Sequence, residues 1–368
     1  MTDSTRSSII LGLAFLGILL MNGLFFMMPY EALNPYEYLS GSNLSTFQVL
    51  DIFIGGAIVP LVALATGYLI NAFRHYGIGN LAKVAAFVLT LGIVQTFFIF
   101  AFDFLPGLVL MALVALLFLK THWAVSLLAA LLLFFFHLTA NVLVGFFASV
   151  GSPTDIIYTA MQDVQEFTSV FRSTDYFAII ALNIELFSRN VISTLYGLLF
   201  TVLPWLLVGM SLGRLDIVRF IRSNPVMHII LFIVLAGGGM AIKMIQVLTL
   251  GSYSGRLLAE NFGGPVLALG YFLLMMYLTT IVPSSVLEVF RRMGRYFLTL
   301  YILSNVVFMM IFYGIGAGMY GEMEIAAMIW TVLIILVFLM VLATVMHRYR
   351  IRSIEDLFTH NSENGINR

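Results

Sequence analysis

Residues 9–28 read IILGLAFLGILLMNGLFFMM, a run with one amide and no charge. A helix needs about 20 apolar residues to cross a bilayer core about 30 Å thick, so this run predicts a membrane span. A short polar leader precedes it, as in a signal peptide. Pro29, Tyr30 and Glu31 then follow in place of a small-x-small cleavage site, so the run reads as a retained helix. Nine further runs, bounded by polar residues, Gly or Pro, have the same character. They are Phe47–Phe73, Leu81–Phe102, Leu105–Leu119, Trp123–Val150, Val191–Leu212, Val226–Leu250, Pro265–Val282, Tyr296–Met319 and Ile325–Met346. The expected fold is an all-α, polytopic bundle of about ten transmembrane helices in the plasma membrane.

Composition agrees. Hydrophobic residues make up 61% of the chain and charged residues 10%, with a mean hydropathy of +1.04, and no water-soluble fold could cover that much apolar surface. The formal net charge is zero and no basic run is interleaved with aromatics, so nothing points to nucleic acid. With no cysteine, disulfides, thiolate-ligated zinc and thiol nucleophiles are excluded, and no motif indicates a metal or names a cofactor.

Orientation follows from the cations, because short loops rich in Lys and Arg stay in the cytoplasm. With both termini inside, the inner set includes Arg6, Arg74, Lys83, Lys120, Arg214, Arg219, Arg222, Arg291, Arg292 and Arg295, while Arg172, Arg189, Lys243 and Arg256 fall elsewhere. Omitting the short fourth span would put this bias out of phase, so the pattern favours ten spans over nine. The long external connection, 151–190, predicts a helix that starts at Ser152-Pro153-Thr154-Asp155 and turns Ile156, Ile157, Ala160, Met161, Val164, Phe167 and Phe171 to one face. It would lie in the interface or form a lid over an outward cavity.

Polar groups inside spans are costly and face the bundle interior by default. Asn22, Asp51, Gln95 and Asp103 are expected at one level in the outer half. His137 and Asn141 share a face of the fifth span, and Lys243 and Gln246 share a face of the seventh. Amides and imidazoles between helices commonly serve as packing hydrogen bonds worth about 1 kcal/mol. A charge such as Asp51 or Lys243 needs a partner or water. The glycines of 314–321 would allow close helix packing, and no Gly-rich stretch has the strand and Lys of a phosphate loop.

Two stretches carry a family resemblance. Gly294-Arg295, Leu298-Thr299, Tyr301 and Phe312-Tyr313-Gly314-Ile315-Gly316-Ala317-Gly318-Met319-Tyr320-Gly321, with Ala268-Leu269-Gly270-Tyr271 upstream, resemble the C-terminal domain of the YeiB-like bacterial membrane proteins, a domain of unknown function numbered 418. Ile354-Glu355 stands where that family has Pro-x-Glu-Trp, with Ser353 and Asp356 replacing the Pro and Trp. Gly12, Ala14, Gly17-Ile18-Leu19 and Asn22, then Leu207, Gly209-Met210 and Gly213-Arg214, are similar to its N-terminal half. This divides the chain into 1–222, 223–360 and a polar tail, 361–368.

The family's Asp-x-x-Arg before the first Gly reads here as Ser8 and Leu11. Its Gly-x-x-His with Asp eight residues on reads as Gly92-Ile93-Val94-Gln95 and Asp103. The family is grouped with transmembrane acyltransferases, which implies transfer of an acyl group from a carrier to a lipid or envelope glycan. Asp103 and His137 would then be catalytic, and Asn22, Asp51, Gln95, Asn141, Lys243, Gln246 and Arg295 would bind substrate, Arg295 with Arg291 and Arg292 facing an anionic carrier. Two alternatives stay open: a transporter of a small or lipidic molecule, and a non-catalytic binding or immunity protein. Expected partners are membrane lipids and an acyl carrier or lipid-like substrate.

Overall fold

The computed structural model describes residues 1–151, 160–351 and 353–354, so the expected helix start at 152–155, with Ile156, Ile157, Glu355 and Asp356, lies outside the described residues. The helices, in order, are α1 (Asp3–Met27), α2 (Pro35–Tyr38), α3 (Gly41–Ile54), α4 (Ile58–Ala72), α5 (Gly77–Phe98), α6 (Leu105–Ala115), α7 (Trp123–Gly151), α8 (Met161–Phe171) and α9 (Tyr176–Thr201). There follow α10 (Leu203–Arg214), α11 (Ile217–Ser223), α12 (Pro225–Leu248), α13 (Tyr253–Leu258), α14 (Gly264–Ile281), α15 (Ser284–Arg295), α16 (Phe297–Phe312) and α17 (Ile325–Tyr349). Among the described residues, 8 helical stretches are long and apolar enough to cross a membrane, and α15 with α16, bent by 73°, make a ninth if they count as one. The short apolar stretch Leu105–Phe118 stands where the fourth span is expected. The chain is an all-α polytopic bundle.

α1 runs through the interior against α4, α14, α15, α16 and α17, so the start of the chain packs on its C-terminal region. α5, α7 and α12 are peripheral and turn apolar side chains outward, among them Leu132 and Phe136 on α7 and Val226 and Val234 on α12. In water such faces would drive aggregation; in lipid they are the solvent-facing surface.

Two helix crossings depend on small residues. A methyl group on Gly209 would overlap the Leu64 carbonyl, one on Gly67 the Leu206 carbonyl, and one on Gly294 the Ser8 carbonyl. α10 thus meets α4, and α15 meets α1, backbone to backbone. Gly209→Val is expected to lower the thermal midpoint in detergent, consistent with about 1–3 kcal/mol of overpacking, whereas Gly237→Ala, where nothing lies within 4 Å, should not.

Three segments differ from expectation. The second span begins at Gly41 and breaks at Gly55–Gly56, where Gly56 takes φ +64 and its missing Cβ would lie 2.9 Å from the Glu260 backbone. Asp51 is therefore in the last turn before a break rather than near the span's outer start. The long connection is shorter than expected, because α9 is helical from Tyr176, where the Asp175 carboxylate caps it by accepting from Phe177 and Ala178 N–H. The Gly-rich stretch 314–321 continues no helix. It folds back on α16, and the N–H groups of Ala317, Met319 and Tyr320 donate to the carbonyls of Met310, Ile311 and Phe312. Those carbonyls have no partner within a helix that ends at Phe312, and Gly314 and Gly316 leave room for the chain to return against Arg172 and Met310.

The cation-bearing turns gather at one end. Tyr68 O–H donates to Asp3 at 2.8 Å, and Arg214 caps the end of the α6 stretch by donating to the carbonyls of Phe118 (2.8 Å), Leu119 (3.1 Å) and Thr121 (2.7 Å). At the opposite end, α8 packs on α9 and on the segments that follow α5 and α16. Its amphipathic pattern buries Val164, Phe167 and Phe171, and Phe171 stacks on Tyr313 at 4.6 Å while its carbonyl accepts from Gly314 N–H at 2.8 Å.

Candidate functional site

The chain leaves α5 at Phe98 and turns back through 99–104, so that Asp103 returns to the level of Gln95, one turn from the helix end. Gln95 Nε2 donates to Asp103 Oδ2 at 2.6 Å, and Leu105 N–H donates to Oδ1 at 2.9 Å, tying the carboxylate to the start of α6. From α16, Tyr301 O–H donates to the same Oδ1. One turn further on the same face, Asn305 Oδ1 accepts from Asn22 Nδ2 of α1 at 2.8 Å, and both amides adjoin the Tyr301 hydroxyl. Three residues anticipated from sequence, Asn22, Gln95 and Asp103, thus meet around two that were not, Tyr301 and Asn305.

Two amide atoms here are buried without a partner: Gln95 Oε1 and Asn305 Nδ2. The Gln95 amide turns its Nε2 rather than its Oε1 to the Asp103 carboxyl. An unpaired donor and an unpaired acceptor beside one carboxylate suit a ligand with hydroxyl groups, which supply both functions.

Asp103 lies in the α5–α6 connection, outside the spanning helices. Burial pushes its carboxyl up to about 7, against the opposing pull of the Tyr301 hydroxyl, the Leu105 N–H and the Gln95 amide. Part of its surface nevertheless remains accessible. Glu31, just after α1, has the same character: it is exposed, yet burial raises its pKa above the ordinary carboxylate range. Phe25 joins the two, with its ring 6.2 Å from Phe102 and 4.7 Å from Tyr30.

The other anticipated residues form separate groups. Lys243 Nζ and Asp51 Oδ1 are 3.4 Å apart and both buried, and Tyr36 O–H donates to Asp51 Oδ2 at 2.7 Å. Gln246, one turn along α12, is buried with its Oε1 unpaired. This pair lies between two broken helices: the Gly55–Gly56 break, and a π-helical turn at Ala259–Gly263, where Gly263 leaves room for the Lys243 stem. His137 and Asn141 meet at 3.0 Å on α7, and Asn261 of that π turn approaches His137 at 3.3 Å. His137 also stacks on Phe200, so its neighbours are those of α7, α9 and the π turn, not Asp103. The single polar level expected for Asn22, Asp51, Gln95 and Asp103 therefore divides, Asp51 belonging with Lys243.

Arg295 is exposed over the Tyr296 ring at the opposite end of the bundle and joins none of these groups. Arg291 and Arg292 both donate to Glu288, at 2.5–3.0 Å, so that carboxylate offsets part of their charge. Tyr301 and Asn305 left a usable trace in the sequence: a hydroxyl and an amide four apart within an apolar run. Asn261 and Tyr36 left none, because their meaning depends on which helix lies opposite.

Residues 212–352 match a protein family described as a protein of unknown function, DUF418. The likeness covers that C-terminal region, less than half of the chain. Tyr301, Asn305 and Lys243 lie within the matched residues, and Asn22, Gln95, Asp103 and Asp51 precede them, so each of the two buried polar groups is built across the boundary. No curated protein and no solved structure matches the chain.

Proposed function

We propose that this protein is a plasma-membrane acyltransferase-like enzyme that moves an acyl group from a carrier to a hydroxyl of a lipid or envelope glycan, with Asp103 as general base. The observation that carries this reading is the convergence of Asp103, Gln95, Tyr301, Asn305 and Asn22 around an unpaired amide donor and acceptor. The reacting hydroxyl would accept from Asn305 Nδ2 and turn its proton to Asp103, while a neighbouring hydroxyl of the same acceptor donates to Gln95 Oε1. As the reacting oxygen attacks the acyl carbonyl, its proton passes to Asp103; the carrier then leaves as the bond to it breaks and takes a proton back. A base with a pKa near 7 is well matched to this work at neutral pH. Tyr301 and Gln95 hold the carboxyl in place, and α8, whose Phe167 ring lies 6.2 Å from that of Phe102, would serve as the lid.

The test is transfer of labelled acyl groups from acyl-CoA, in liposomes containing the purified protein and envelope lipids or glycans. Transfer that depends on the protein supports the reading, and none to any acceptor overturns it. Gln95→His is informative in the same assay. Gln95 stands where the resembling family has His, within 2.6 Å of Asp103, so the substitution places an imidazole against the carboxyl. The expected result is a several-fold gain in rate, with the low-pH limb of the profile shifted toward the imidazole range, about 6.5.

A further inference from the structure

At the basic end of the bundle, opposite the Asp103 group, a recess of about 510 Å³ is lined by Arg6, Asp216, Val218, Arg219, Arg222 and Ser223. Arg6 comes from the first turns of α1 and is 7% exposed. Its Nη1 donates to Asp3 at 3.0 Å, but its Nε is buried with no partner, although guanidinium donors are rarely left unused in such surroundings. Arg219 and Arg222 are exposed on the short α11, and among the described residues neither guanidinium has a hydrogen-bond or ion-pair partner. Three arginines thus share one concavity with Asp216, whose Oδ1 already accepts from the Arg219 backbone N–H. The arrangement suits a compact anion with several acceptor oxygens, which guanidinium forks bind well.

Its position selects the source of that anion. Phe220 lies between the two exposed arginines and is 38% exposed, and Val226 and Met227, at the start of α12, are 69% and 58% exposed. From there α12 turns Ile230, Ile233 and Val234 outward. The apolar belt therefore begins within a turn of Arg222, which sets the arginines at headgroup depth with apolar side chains dipping below them.

We propose that this recess binds the phosphate of an anionic lipid headgroup, seated against the guanidinium groups of Arg219 and Arg222 with Arg6 in its wall. The site is independent of the acyl-transfer reading and needs no turnover. It is tested on the full-length protein in nanodiscs and by native mass spectrometry, using phosphatidylglycerol, phosphatidylcholine and inorganic phosphate as probes. Phosphatidylglycerol should remain bound in preference to phosphatidylcholine. Arg219→Gln with Arg222→Gln, both exposed and so neutral to folding, should weaken it about 30-fold, from about fivefold per cation. Arg6→Gln should weaken it as well, while Arg291→Gln, at the same end but engaged with Glu288, should not. Equal retention of the lipid by the double variant overturns the proposal. So does preferential binding of inorganic phosphate, which would assign the recess to a soluble anion.

Discussion

Asp103→Asn is expected to lower acyl transfer by about 10²–10⁴-fold, the contribution of a positioned general base, while leaving the protein folded. Asparagine keeps the shape and can still accept from Leu105 N–H and Tyr301 O–H, but it cannot take a proton. The pH profile separates this from a structural effect. With the carboxyl near 7, the wild-type rate should climb tenfold per pH unit below that value and level off above it, and the variant's residual rate should lose that limb. Stability should move the other way. The unfolded chain releases this proton in the ordinary carboxylate range, near 3.9, whereas the folded protein holds it until about 7. Between those values the native state binds more protons, so stability is greatest at low pH and declines as pH rises through 7. His137→Ala should leave the rate within a few-fold, because His137 is bonded to Asn141 and Asn261 and does not reach Asp103. Loss of transfer in His137→Ala with retention in Asp103→Asn would reverse the assignment.

The helices were legible because length and hydropathy are local properties: a run such as 325–346 has few alternatives to crossing a membrane. Breaks were harder. Gly55 and Gly56 look like the other small residues of apolar helices, and only the opposing Glu260 backbone shows why the second one must be glycine. The Gly-rich stretch 314–321 misled for a related reason, since a small residue permits helix contact and chain reversal alike, and the choice rests on carbonyls at the end of α16 that need donors. Periodicity paired Lys243 with Gln246 and His137 with Asn141, since both lie within one helix. It could not show that Asp51 belongs to Lys243 or that Asp103 belongs to Tyr301, separations of 192 and 198 residues. Depth along an unbroken span can be read from sequence, but a break such as Gly55–Gly56 shifts it, as at Asp51, and the face of a helix that meets another cannot be read.

The ion pair between Asp51 and Lys243 should be costly to halve and cheap to remove. Both side chains are almost fully enclosed, at 3% and 0% exposure, so neither charge can turn to water when its partner is lost. Lys243→Met leaves a carboxylate supported by the Tyr36 hydroxyl alone, and Asp51→Asn leaves an ammonium without a counter-ion; each is expected to cost about 3–5 kcal/mol. The double variant, Asp51→Asn with Lys243→Met, removes both charges and should recover most of that loss, because desolvating two ions consumes much of what their attraction returns. Thermal unfolding in detergent or nanodiscs, run as a double-mutant cycle, measures the coupling directly. Additive losses would show that water reaches the pair, in which case it belongs to an open path through the membrane. Strong coupling would mean that the pair pins α3 to α12 beside two helix breaks, where unpaired backbone groups would otherwise let the bundle slip. Gly263→Ala reports on the same junction, since its methyl would stand 2.9 Å from Lys243 Cγ and push the ammonium from its partner. It should mimic part of the loss seen in Lys243→Met, and its steric part should persist in the double variant, because methionine at 243 keeps a Cγ in the same place.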